Sequence, residues 1–341
     1  MSKSMYRVKY KGKSFIGQPM AWDGSEMLLL RRNGKLSMLP VKSTNELEKV
    51  HNSFVPYSDD ELRQRLEREF GQQYQITQTE DFLVVHPYGD ADIWAQPFQD
   101  LYWRFQVYFS SRGLKIAKPN FPMVAVVYRT RNEFDRVLAK YNNANSKFIG
   151  FYSSTSNRII TYDRSDNGSR DEASLANNTT IIHEATHQTA YNTGVHSRFA
   201  PQVRWVTEGL ATYFEANGVN NSAYFSRQTD RINRDRLTTL KHFYREGKVK
   251  GALEQLIVGD ELFRIDMDLA YALSWGMTFY FNEKMPNEYQ QFLMRDGART
   301  NFTQYTSTDR ARAFSAAFGS DVAGLESRMK TYFSRLEVPQ R

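Results

Sequence analysis

The chain of 341 residues contains no cysteine and only six histidines. The first absence excludes disulfides and any thiolate metal site, and it leans towards an exported bacterial protein rather than a cytosolic one. No apolar run approaches the roughly 18 residues that a membrane-spanning helix needs, so no transmembrane segment is expected. The opening Met1-Ser2-Lys3-Ser4-Met5-Tyr6 lacks an apolar core, so no signal peptide stands in this chain. The expectation is an extracytoplasmic location with the signal removed. No recognisable nucleic-acid module is present either, and aromatics do not alternate regularly with the basic residues, so no specific nucleic-acid partner is expected.

With histidine this scarce, a pair at helical spacing is informative. Ile181-Ile182-His183-Glu184-Ala185-Thr186-His187-Gln188 contains H-E-x-x-H. On a helix, residues four apart share a face, so His183 and His187 point two imidazoles at one ion. Glu184 stands one position further round, placed to handle a water rather than to be a third ligand in that row. Two imidazoles that leave a position open, with a base beside them, suit a catalytic Zn2+. Asn177, Asn178, Thr179 and Thr180 offer N-cap oxygens just before the apolar pair, and Gly194 offers a stop.

The third ligand decides the class. The metzincin continuation H-x-x-G-x-x-H is broken, because Ala190 and Thr193 occupy its later places. His196 lies off the pattern, in the loop expected after Gly194. Next comes Trp205-Val206-Thr207-Glu208-Gly209-Leu210-Ala211-Thr212-Tyr213-Phe214-Glu215, an amphipathic helix beginning near Pro201. Twenty residues separate His187 from Glu208, enough for a helix end, a loop and a return, so Glu208 can complete a two-His, one-Glu site. Tyr213 falls off the Glu208 face, whereas Glu215 lies two turns along it. Glu215 reads as a surface residue, with a carboxylate supporting an imidazole as the other reading.

H-E-A-T-H-Q followed by W-V-T-E-G-L-A-T-Y-F-E resembles the gluzincin zinc metallopeptidases, which include thermolysin-like proteases and aminopeptidase N-like enzymes. The C-terminal two-thirds is most similar to the uncharacterised bacterial domains described as peptidase-MA-like. The resemblance implies that His183, His187 and Glu208 are the zinc ligands and Glu184 the general base. It implies hydrolysis of a peptide or protein substrate, in which Glu184 takes the proton of a zinc-activated water and passes it to the leaving amine. The exopeptidase branch carries a Gly-rich motif that captures the substrate's amino terminus. None is found here, which leans towards an endopeptidase. In aminopeptidase N-like enzymes a Tyr-x-x-Gly segment supplies a phenol to the reacting carbonyl. Tyr271 is similar in position, with Ser274 where the glycine would stand, and its readings are an oxyanion donor or a core tyrosine.

The expected architecture is α+β, with a small SH3-like β domain (1–56) preceding a gluzincin-like catalytic domain (57–341). In the first, Tyr6–Tyr10 alternates, Met27–Leu30 is an apolar run, and Asn33-Gly34 marks a hairpin. Pro40–Tyr57 reads as a linker, and Ser58-Asp59-Asp60-Glu61 as a capping box opening a helix that ends at Gly71. Strands are expected at Tyr74–Thr77, Phe82–His86, Met123–Tyr128, Phe148–Tyr152 and Arg158–Tyr162. Helices are expected at Ile93–Phe109 and Asn132–Tyr141. Mixed elements before a helical tail are the α+β signature. In gluzincins the strand before the H-E-x-x-H helix forms the edge on which extended substrate pairs. Arg158–Tyr162 holds that place, with an ordinary central strand as the other reading. Asp163–Leu175 reads as a mobile loop.

Net charge is +7, and basic residues thicken over Arg227–Lys250. The stretch reads either as a solvated helix face, given Asp230, Asp235 and Glu246 among the cations, or as an attraction to an anionic envelope polymer. Two further functional readings stand beside the peptidase. One is a non-catalytic envelope- or polymer-binding module on a gluzincin scaffold, the other a hydrolase of non-peptide amides.

Overall fold

The computed structural model describes residues 3–22, 24–41, 47–88, 91–141, 149–164, 170–299 and 304–337. It is mixed α and β, with two five-stranded sheets and thirteen α-helices among the described residues. Backbone packing divides it into two compact units, one of residues 3–103 and 117–193, the other of residues 104–116, 194–299 and 304–337.

The first unit opens with β1 (Met5–Tyr10), β2 (Lys13–Trp22), β3 (Glu26–Arg31), β4 (Leu36–Pro40) and β5 (Leu47–His51). They form an antiparallel sheet in the order β4-β3-β2-β1-β5. Alternation places Val8, Met27, Leu29 and Leu39 in one buried cluster. The Asn33-Gly34 turn joins β3 to β4 as expected, with Gly34 at φ +78°, where a side chain would be strained. The expected linker is corrected: β5 lies within Pro40–Tyr57, and residues 42–46 are outside the described set. Leu47-Glu48-Lys49-Val50-His51 is too polar to read as a strand. Its backbone pairing with β1, at an edge of the sheet, makes it one.

The second sheet carries α1 (Asp59–Phe70), β6 (Tyr74–Gln78), β7 (Phe82–Pro87), α2 (Ala91–Ser110), β8 (Met123–Tyr128), α3 (Arg131–Leu138), β9 (Gly150–Ser153), β10 (Arg158–Tyr162) and α4 (Arg170–Asn192). The Ser58 hydroxyl accepts from the Glu61 amide while Glu61 reaches back to the Ser58 amide, so the capping box is complete. Strand order is β6-β7-β8-β10-β9, parallel from β7 through β8 to β10 and antiparallel at both edges. The near-continuous apolar run of β8 suits a central strand covered on both faces. Leu62 and Leu66 of α1 pack on Leu83, Val85, Val124 and Val126, and Phe134 and Leu138 of α3 on Ile160 and Tyr162.

In this sheet one open reading is decided and one expectation is overturned. β10 is internal, paired with β8 on one side and β9 on the other, so of the two readings of Arg158–Tyr162 the central strand holds, and the edge strand is β9. Helix α4 begins at Arg170, a turn and more before the Asn177–Thr180 cap read from the sequence. Asn178 and Thr179 stand exposed on the helix surface, where polar side chains do not have to compete with the backbone ladder. The loop expected over Asp163–Leu175 is therefore helical from Arg170, and residues 165–169 are outside the described set. Of the strand expected at Phe148–Tyr152, Phe148 likewise falls outside it.

The second unit is helical. It contains α5 (Arg204–Phe214), α6 (Asn217–Asn220), α7 (Arg234–Arg245), α8 (Ala252–Val258), α9 (Leu262–Ile265), α10 (Met267–Lys284), α11 (Pro286–Gly297), α12 (Ser307–Phe318) and α13 (Val322–Arg335). α10 is buried on every side from Ala272 to Phe281, which marks it as the central helix. Its closest neighbour is α5. A Cβ built on Gly209 would lie 2.3 Å from Thr278 Oγ1 and 2.5 Å from the Ser274 carbonyl oxygen, so only glycine allows this approach. Gly209→Ala is expected to cost about 1–3 kcal/mol through overpacking, read as a lowered denaturant midpoint with unchanged slope.

Candidate metal centre

α4 is fixed to the sheet by its own polar side chains. The buried Gln188 amide donates to the Val124 carbonyl at 3.0 Å and to the Asn157 carbonyl at 2.8 Å. Asn192 and Asn157 exchange hydrogen bonds of 2.8 and 3.0 Å, and the Tyr152 hydroxyl donates to Asn157 Oδ1 at 2.7 Å. Asn157 occupies the left-handed region at φ +58°, a conformation asparagine tolerates better than most residues. On the strand side, a Cβ on Gly150 would lie 2.7 Å from the Thr180 methyl, so glycine lets β9 close against α4. These contacts set the height and rotation of the helix that carries the motif. The sequence reading missed Gln188 and Asn157 as positioning residues. The signal available was a polar residue directly after His187, on a helix flank that had to be buried.

His183 and His187 stand one turn apart on α4 with their Nε2 atoms 3.2 Å apart. The rings meet edge to face, centroids 4.8 Å apart at 81°. Glu208 joins them: one ligand atom from each of the three residues lies within 4.8 Å of the other two. His187 and Glu184 are buried, whereas His183 and Glu208 keep partial exposure.

Neighbouring side chains hold Glu208. Arg204, one turn earlier on α5, brings Nε to 3.9 Å from Glu208 Oε1. The Arg204 guanidinium lies over the Phe263 ring at 4.3 Å, and its backbone N–H donates to Asp260 Oδ1. Asp260 in turn binds both terminal nitrogens of Arg310, at 2.8 and 2.9 Å. Arg204 also escaped the sequence reading, although its i, i+4 spacing to Glu208 was visible.

Tyr271 lies on α10, half-buried, with its ring edge-on to Phe263 at 5.5 Å and the Arg236 guanidinium 5.0 Å from its centre. A run of contacts thus links Glu208 through Arg204 and Phe263 to Tyr271. Tyr213 is core, packed among Tyr108 and Phe279. Its hydroxyl is pushed well above the ordinary tyrosine range by burial, so it is not an acid–base candidate. Glu215, read as surface or as imidazole support, is half-buried and accepts a 2.7 Å hydrogen bond from Asn233. His196 is buried in the loop after α4.

Residues 177–303 match the family described as a protein of unknown function (DUF1570). The matched segment runs from the middle of α4 past α11, and so includes His183, Glu184, His187, Glu208 and Tyr271. No curated protein matches the chain.

Proposed function

We propose that this protein is a zinc-dependent peptide-bond hydrolase of gluzincin type, acting as an endopeptidase. The observation that carries the reading is the His183, His187 and Glu208 cluster with the buried Glu184 one residue from its first histidine. Two nitrogens each bound at about 2.05 Å in tetrahedral geometry stand about 3.4 Å apart, close to the 3.2 Å between the two Nε2 atoms. Two imidazoles and one carboxylate are the donor set of a catalytic zinc with one position left open. Zinc held there would supply Lewis acidity, acidifying a water and polarising a carbonyl.

The chain's own residues do the rest. Glu184, as a carboxylate, accepts the proton of the attacking water and returns it to the departing amine nitrogen. Arg204 holds the Glu208 carboxylate in register by charge. β9 offers extended substrate the edge of the sheet, where it is the last strand among the described residues. Tyr271 donates its O–H to the oxyanion that forms as the carbonyl becomes tetrahedral. The antiparallel sheet of β1–β5 fits an SH3-like accessory fold.

The direct test is zinc content of protein purified without chelator, paired with a peptide-library screen. About one zinc per chain with cleavage inside peptides supports the reading. A full complement of zinc without any cleavage would favour the binding-module alternative. Tyr271→Phe is expected to lower kcat about 100-fold with zinc content and KM little changed. An unaltered kcat would return Tyr271 to a packing role.

A further inference from the structure

The basic stretch Arg227–Lys250 is only partly explained by solvated ion pairs. Arg231 is clamped by Glu283 at 2.8 and 3.1 Å, and Lys248 by Glu246 at 2.8 Å. Thr238, Lys241 and Arg245 recur along one face of α7. Lys330 and Ser334 recur likewise on α13, and together with Tyr244 these residues line a pocket of about 600 Å³.

We propose that this pocket is a binding site for a phosphoryl group, sharing no residue with the His/His/Glu cluster. Three cationic side chains line it, and no carboxylate does. Among the described residues, neither Arg245 nor Lys330 has an acidic group within ion-pairing distance. Lys241 donates to the Leu336 carbonyl and keeps two further N–H donors. The nearby acids are otherwise engaged: Glu246 with Lys248 and His242, and Glu326 with the Gly251 amide at 3.0 Å. Cations gathered in a concave wall repel one another until an anion neutralises them. The hydroxyls fit the same ligand. Tyr244 has a buried O–H with no hydrogen-bond partner among the described residues, and burial followed by the Glu326 charge keeps it protonated as a donor. Arg245 supplies a planar fork matched to two phosphoryl oxygens. The phosphoryl group belongs either to a soluble phosphomonoester or to a lipid headgroup.

Calorimetric titration of the full chain distinguishes these sources. The probes are inorganic phosphate, glycerol 3-phosphate, and phosphatidylcholine vesicles with and without phosphatidylglycerol. Saturable binding is expected, weakened at least tenfold in R245E/K330E, with zinc content and thermal unfolding unchanged. Loss of soluble-phosphate binding assigns a phosphomonoester, and loss of binding confined to anionic vesicles assigns a headgroup. Both altered side chains are exposed, and the charge-neutral R245Q/K330Q pair gives the same reading should the reversal perturb folding. Binding that persists undiminished in these variants, or no binding to any probe, overturns the proposal. Because neither residue belongs to the metal cluster, the outcome does not depend on peptide hydrolysis.

Discussion

Glu184→Gln is expected to lower peptide hydrolysis by about 10²–10⁴-fold, the usual worth of a positioned general base. The change replaces a proton acceptor by an amide of nearly the same shape. Glu184 is 8 % exposed, so a side chain of unchanged volume keeps the packing around α4. His183, His187 and Glu208 are untouched, and zinc content should stay at the wild-type value. The measurement is kcat on a cleaved peptide beside metal analysis of the same preparation. A wild-type rate in this variant would remove the peptidase assignment, because no other carboxylate is placed beside the first histidine in the sequence.

Glu208→Ala should act on the metal instead. Outer partners of metal ligands are worth about 10–100-fold in affinity, so removing a ligand itself should weaken zinc by more than about 100-fold. Two imidazoles on α4 remain, and Arg204 loses the carboxylate 3.9 Å from its Nε. Glu208 is only partly buried, so a small change in the unfolding temperature of the metal-free protein is expected beside the large change in metal affinity. Competition against a chelator of known affinity measures it. Zinc held as tightly as in the wild type would show that Glu208 is not a ligand.

Much of the local structure could be read without coordinates because its causes are local. Four-residue spacing places His183 and His187 on one helical face whatever surrounds them. The Ser58 capping box and the Asn33-Gly34 turn are satisfied within a few residues of themselves, and both formed as expected. The apolar run Met123–Tyr128 had to be covered on both faces, and it is central. Where long-range pairing decided, the sequence either misled or left two readings open. β5 is a strand because β1 lies beside it, not because its side chains favour one. β10 is internal because β9, formed earlier in the chain, pairs with its far side. α4 starts at Arg170, since cap-forming residues at 177–180 are harmless within a helix that begins upstream.

The sequence by itself therefore determined the chemistry on offer: two imidazoles one turn apart, a carboxylate beside them, no thiol, and an excess of cations. Tertiary structure decided what meets what. Glu208 comes within ligand reach of residues more than twenty positions earlier. Lys330 and Ser334 complete a pocket with Lys241 and Arg245 across more than eighty residues of chain. Periodicity and capping act over a few residues, whereas a metal or an anion samples only space, and folding alone brings distant side chains into the same few ångströms.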